Sequence, residues 1–175
     1  MINTDAIKQF VIESNAIEGY SLAAFGWEHP LFSQHLDTLA EALRLAECSG
    51  LVHPHKAHSG LMSGQLDASL VGHVRPYQVY VGPHTPPTPV VAARLLEAWW
   101  ATAQVWVLGE RDVDAAWELH LLFELIHPYV DGNGRTGRIV WAAMQVLAGA
   151  QAPEPGWFEN RQAYYRELQA YEAGR

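Results

Sequence analysis

HPYVDGNGRTGR, residues His127 to Arg138, decides how the rest of this chain is read. It lies between two apolar segments with helical spacing. Before it, LHLLFELI is apolar nearly all round. After it, IVWAAMQVLA is similar and is ended by Gly149. A polar, glycine-rich loop between two central helices is costly unless its groups are used or solvated in a pocket. Gly132 and Gly134 flank Asn133 and open backbone conformations closed to other residues, just ahead of a helix start. Backbone N–H groups at that point form an anion site, helped by the helix dipole. Arg135 and Arg138 lie three apart in the first turn. Cations there oppose the dipole, so they serve helix stability poorly and suit an anion of several charges, such as a di- or triphosphate. Asp131 supplies a hard oxygen ligand beside it, suited to Mg2+ bridging phosphates. His127 ends the preceding helix and can take a proton near neutral pH. Base, metal carboxylate, anion cradle and two arginines together describe a transfer reaction on a nucleotide phosphate. The Walker spacing G-x-x-x-x-G-K-[ST] is absent, and the loop follows a helix rather than a strand.

Working outward, the pattern is helical. Residues 4–19 predict a short helix with Ile7, Phe10, Val11 and Ala16 near one face. Residues 30–48 predict a longer one with Leu31, Leu36, Leu39, Leu43 and Leu45 as apolar contacts, and residues 53–63 a weaker one. Residues 77–82, YQVYVG, alternate and are rich in Val and Tyr, which predicts a strand. PHTPPTP behind it is an extended or turning loop. Thr88 and Pro89 read as the cap and first position of a helix over 89–107, with Val91, Leu95, Leu96, Trp99, Trp100 and Val105 among its apolar positions. Further helices are predicted over 112–127, 134–148 and 158–172. The sum is mainly α with one small β element and no βαβ alternation.

The chain has 175 residues, room for one core and not for two, so one domain over 1–175 is expected. Lys plus Arg number 11 against 19 Asp plus Glu, a net charge of −8. That balance argues against binding along nucleic acid, and any phosphate chemistry must come from a local site. One cysteine, Cys48, excludes an intramolecular disulfide framework. No apolar run approaches the ~20 residues of a membrane span, and MINTDAIKQF lacks the regions of a signal peptide. A cytoplasmic protein with neither membrane nor nucleic acid as partner is the expectation.

HPYVDGNGRTGR resembles the signature of the Fic family, HPFx[DE]GNGRxxR. Tyr129 replaces the usual Phe and keeps the ring. The related Doc group departs from the GNGR core. Residues 74–89 resemble the Fic flap, a β-hairpin over the active site, and RQAYYREL, residues 161–168, resembles the helix behind the core. The resemblance covers roughly residues 50–173 and implies a helical-bundle Fic fold with that flap. It implies a protein adenylyltransferase, moving AMP from ATP to a Ser, Thr or Tyr hydroxyl of a target protein. It implies His127 as base and Asp131 as holder of Mg2+ on the α- and β-phosphates. The backbone of Gly132, Asn133 and Gly134 would form the anion hole. Arg135 and Arg138 would hold the phosphates, Arg138 nearer the γ-phosphate. It places Tyr164 and Tyr165 at the adenine pocket and Val81, Gly82, Pro83 and His84 of the flap at its border. Glu172 stands where relatives often carry an Asn that meets the base. Related proteins are often dimers, so a homodimer is a further implied partner.

SNAIEG, Ser14 to Gly19, resembles the family's inhibitory motif [ST]xxxE[GN] at Ser14, Glu18 and Gly19. Taken alone, a capping role explains it equally well. Ahead of a Fic core it implies an inhibitory segment over residues 1–25, in which the Glu18 carboxylate pairs with Arg138. Such a Glu can also position water for removal of AMP. The alternative to an enzyme is a non-catalytic nucleotide-binding regulator, or transfer of another phosphate-containing group. The histidine run HPHKAH lacks a carboxylate or cysteine at fitting spacing for a metal. Trp99, Trp100, Trp117 and Trp141 fall in apolar helical patterns and read as core.

Overall fold

The computed structural model describes residues 3–153 and 161–174. Among them run eight helices: α1 Thr4–Ile17, α2 Leu22–Phe25, α3 Pro30–Glu47, α4 Pro54–Met62, α5 Pro89–Leu108, α6 Val113–Ile126, α7 Asn133–Leu147 and α8 Arg161–Ala173. The mainly α expectation holds, and the two helices beside the glycine loop are central. α7 is buried along almost its whole length and packs on α3, α4 and α6. Phe32, Leu39, Leu43, Leu61, Phe123, Ile139 and Val140 fill the space between them.

Local chemistry sets the helix starts. His29 and His53 each precede a proline at the first helical position. Each ring accepts a bond from a backbone N–H two residues on, at 3.2 Å for Leu31 and 3.1 Å for His55. Asp112 Oδ1 accepts from Ala115 N–H at 2.8 Å and starts α6. Thr88 precedes Pro89 as expected, yet its side chain makes no cap bond.

Several expectations are corrected. α1 stops at Ile17, which is buried where Ala16 is exposed, and Ser14 and Asn15 are buried beside it. α2 has no counterpart in the sequence reading. Residues 158–160, expected to open the last helix, lie outside the described residues. In α5, Val91, Leu95 and Val105 point to solvent. The β-hairpin flap is also not formed. Among the described residues there is no strand, and the flap's only pairing is one bridge. There Val81 N–H and His84 N–H exchange bonds with each other's carbonyls at 3.1 and 3.0 Å. Prolines at 76, 83, 86 and 87 carry no N–H, so a ladder cannot extend from that bridge. Side chains hold the loop instead: Gln78 Nε2 donates to Pro86 O at 2.7 Å. Among the described residues no helix is long and apolar enough to cross a membrane.

Candidate active site

The catalytic-loop candidate is built from backbone strain and side-chain clamps. His127 caps α6 in the left-handed region, φ 47°, which reverses the chain sharply toward Pro128. Asn133 then clamps the loop from inside. Its Oδ1 accepts from Tyr129 N–H at 2.8 Å and its Nδ2 donates to Tyr129 O at 2.9 Å. Gly132 has φ 74°, and a Cβ there would meet Met62 Sδ at 2.7 Å, so only glycine fits the entry to α7. His58 supports the loop from α4: its Nε2 donates to Asp131 O at 3.0 Å, and its Nδ1 accepts from Gly72 N–H at 2.8 Å. The two bonds fix one neutral tautomer, and burial lowers the pKa of His58 to about 4. Its ring also stacks on Tyr129 at 3.9 Å.

His127 presents its ring to a cavity of about 470 Å³ between α6, α7, α8 and the flap. Its Nδ1 lies 3.3 Å from Glu124 O. A carbonyl only accepts, so Nδ1 carries the hydrogen and Nε2 keeps the lone pair. Burial is the main reason its pKa falls to about 4, so the ring is neutral at pH 7. Arg138 lies in the same cavity, 1% exposed. Its Nε donates to Ser14 Oγ at 2.8 Å, and its Nη2 donates to Ser14 O at 3.0 Å and to Glu18 Oε1 at 2.6 Å. Burial alone lowers this guanidinium's pKa, but Glu18, Tyr164 and Glu124 outweigh it and the net direction is upward. A Cβ on Gly134 would sit 2.6 Å from Glu18 Oε1 and 2.8 Å from Arg138 Nη1. The Glu18 carboxylate therefore rests directly on the start of α7, where the first N–H groups lack helical partners.

The other expected residues divide. Val81, Gly82, Pro83, His84, Tyr164, Tyr165 and Glu172 all border the cavity, as do Gly134 and Arg138. Asp131, Gly132, Asn133 and Arg135 do not. Asp131 is a largely exposed carboxylate whose Oδ1 accepts from Gly132 N–H at 2.6 Å. Arg135 is buried and lies 5.6 Å above the Tyr20 ring, with Nη2 3.9 Å from Asp131 Oδ1. Its Nε and Nη1 are buried without a bond. Gly19 follows Glu18 with φ 87°, outside the cavity. Tyr164 is buried and meets His120 Nε2 at 3.0 Å through its hydroxyl. Glu172 Oε1 meets His84 Nδ1 at 2.6 Å, while His84 Nε2 donates to Leu125 O at 3.0 Å. Glu172 thereby ties the flap to α8.

Three residues that the sequence reading left without a role shape the site. Arg75 is buried. Its Nε donates to His127 O at 2.9 Å, its Nη1 to Tyr77 O at 3.1 Å and its Nη2 to Pro87 O. One guanidinium thus joins both ends of the flap to the loop that follows α6. The sequence shows Arg75 beside Pro76 but neither its burial nor its carbonyl partners. Glu124 lines the cavity with a buried Oε1 that has no bond, 4.0 Å from His120 Nδ1, itself without one. Burial, opposed by Arg138 and reinforced by Glu18, raises the Glu124 pKa to about 8. His120 is driven down to about 3, chiefly by burial. The pair is therefore neutral at pH 7. A helical period cannot reveal such a pair before the neighbours are placed.

Residues 52–145 match the model of the Fic/DOC family. A probable protein adenylyltransferase of Aquifex aeolicus is 37% identical over 93 residues, 51% of this chain and 27% of that protein. A protein adenylyltransferase Fic of Aedes aegypti is 34% identical over 114 residues, 63% of this chain and 22% of that protein. The chain thus spans about a quarter of the length of these curated relatives. A Fic family protein from Desulfovibrio desulfuricans shares the fold at TM-score 0.71 and 23% identity, over 98% of this chain and 58% of that one. Fic-1 from C. elegans shares it at TM-score 0.68 and 22% identity, over 100% of this chain and 60% of that one.

Proposed function

The chain belongs to the Fic/DOC family, and from that premise we propose that it is a self-inhibited protein adenylyltransferase. The observation that carries this reading is one cavity holding a neutral imidazole, a buried guanidinium and a helix N-terminus. His127 Nε2 takes the proton of a target Ser, Thr or Tyr hydroxyl. The freed oxygen attacks the α-phosphorus of ATP, the bond to the bridging oxygen breaks, and pyrophosphate leaves. Arg138, the N–H groups opening α7 and, after a swing from Tyr20, Arg135 hold the charge that develops. The buried bond-free nitrogens of Arg135 support that last role.

Among the described residues no group of three His, Cys, Asp or Glu side chains is placed to hold a metal. Mg2+ suits such a site, because it needs only one or two carboxylates when phosphates and water complete its shell. Asp131 is the residue to hold it, and it would neutralise phosphate charge. Residues 50–173 form the transfer unit and residues 1–25 the segment that restrains it. Glu18 occupies the guanidinium and the helix end that the terminal phosphate needs. In the reverse direction the same carboxylate, at the edge of the cavity, activates water for AMP removal.

The test uses ATP labelled at either the α- or the γ-phosphate, with Mg2+ and the Glu18→Gly chain. Retention of the α-label alone on protein supports AMP transfer. Nucleotide binding with no label on protein supports a non-catalytic nucleotide-binding regulator instead.

A further inference from the structure

We propose that His120 is a positioning residue: through Tyr164 it keeps the Arg138 guanidinium aimed into the cavity when the Glu18 carboxylate leaves it. This rests on the proposed role of Arg138 as a holder of the ATP phosphates. The bonds from Arg138 to Ser14 and Glu18 run to α1 and its cap, and so tie the guanidinium to the restraining segment. Tyr164 ties it to the transfer unit, from α8. Arg138 Cζ lies 5.9 Å from the Tyr164 ring centroid, and the guanidinium faces the Tyr164 hydroxyl oxygen.

A guanidinium only donates, so the hydrogen of the Tyr164 hydroxyl has to point elsewhere. It points to His120 Nε2, 3.0 Å away. Burial and the Arg138 charge hold the pKa of His120 at about 3, so the ring is neutral. Nε2 is then the lone-pair nitrogen, and Nδ1 carries the hydrogen on the side of Glu124 Oε1, 4.0 Å away. The ring is held in place by its neighbours. It stacks on Trp117 at 4.9 Å and 27°, and Trp141 of α7 packs on it at 5.9 Å. Trp117 Nε1 donates to Glu167 Oε1 at 2.7 Å, on the same helix as Tyr164. A phenylalanine at 120 would fill this space equally well. It would lack the acceptor, leaving the buried Tyr164 hydrogen without its partner. Turned toward Arg138, that hydrogen would meet a cation that has no lone pair to offer.

The test uses the full chain with Glu18→Gly and His127→Ala as background. To it is added His120→Phe, which keeps the stacking and loses the acceptor, or His120→Gln, whose Oε1 takes the place of Nε2. Titration calorimetry with Mg-ATP and with AMP reads the phosphate contact. His120→Phe should weaken Mg-ATP binding about tenfold, and His120→Gln should restore it. AMP, which lacks the outer phosphates, should stay within about twofold throughout. Nitrogen-15 NMR of the arginine side chains, with the Arg138 signal assigned by its loss in Arg138→Lys, reads the guanidinium without nucleotide. Its rotation about the Nε–Cζ bond should be about tenfold faster in His120→Phe and return to the background rate in His120→Gln. Where His120→Phe loses helical circular dichroism, Tyr164→Phe takes its place, because it removes the same link from the other end. Unchanged rotation or unchanged Mg-ATP affinity in the phenylalanine variant would overturn the proposal. So would equal losses for ATP and AMP, or no recovery in His120→Gln. A background chain that binds no ATP would overturn the transfer reading instead, and the rotation rate would still decide this one.

Discussion

Arg138 Nη2 donates to Glu18 Oε1 at 2.6 Å across 120 residues of chain, and the same guanidinium binds the hydroxyl and the carbonyl of Ser14. Three bonds therefore fasten the end of α1 to the second turn of α7. Two of them come from Ser14, which is fully buried, so the helix is anchored even where Glu18 is removed. The carboxylate, 31% exposed, is the part that solvent reaches.

Ser14→Ala leaves Arg138 Nε buried without its acceptor. An unmet buried donor costs about 1–3 kcal/mol. The chain should lose stability by that order in denaturant unfolding, with Glu18 less firmly held and basal AMP transfer raised. Equal stability and equal basal transfer would show that Ser14 does not hold the pair.

Gly134→Ala separates two effects. The added methyl collides with Glu18 Oε1 and Arg138 Nη1. It should expel Glu18 yet also intrude on the phosphate cradle. Calorimetry should find no gain in ATP affinity, in contrast to removal of the Glu18 side chain.

The buried acids and bases set opposite pH slopes. Glu124 has a folded pKa of about 8, above the unfolded 4.5. Its contribution is full below 4.5 and is lost as pH rises toward 8. His120, His58 and His127 have folded values of about 3, 4 and 4, below the unfolded 6.5. Their contributions are full above 6.5 and are lost as pH falls toward 4. Burial also lowers the pKa of His35, His53 and His55, so between 4.5 and 6.5 the histidines outweigh the one glutamate and stability rises with pH. Above 6.5 only Glu124 acts, and stability declines. Melting temperature should peak near pH 6.5, and Glu124→Gln should abolish the decline on the alkaline side.

Arg75→Ala strips three backbone carbonyls of a shared donor. It should cost roughly 2–4 kcal/mol by denaturant unfolding and open residues 76–87 to proteolysis. Unchanged cleavage would show that the flap is held elsewhere.

Much of the site was legible because it is contiguous. Residues His127 to Arg138 carry the loop, its glycines and both arginines in twelve positions, and the helices beside them follow a clear period. The Glu18–Arg138 contact was legible only through the resemblance of SNAIEG to a known motif, since no local pattern joins residues so far apart. The flap was misread for a local reason: YQVYVG alternates like a strand, but its partner segment is made of prolines. The direction of α5 was hidden for another reason. A helix apolar on every side does not say which side faces the core, and Val105 and Leu108 proved to face out. Glu124, His120 and Arg75 act through neighbours on other elements, so spacing alone carries no trace of them.

If the Glu18 carboxylate holds Arg138 away from ATP, its removal frees the guanidinium for the nucleotide. The direct measurement is isothermal titration of Mg-ATP into wild type, Glu18→Gly and Glu18→Gly with His127→Ala, alongside incorporation of α-labelled ATP. ATP binding at least about tenfold tighter is expected in both variants. Label should rise in the first and vanish in the second. Equal ATP affinity and equal labelling in wild type and Glu18→Gly would contradict it.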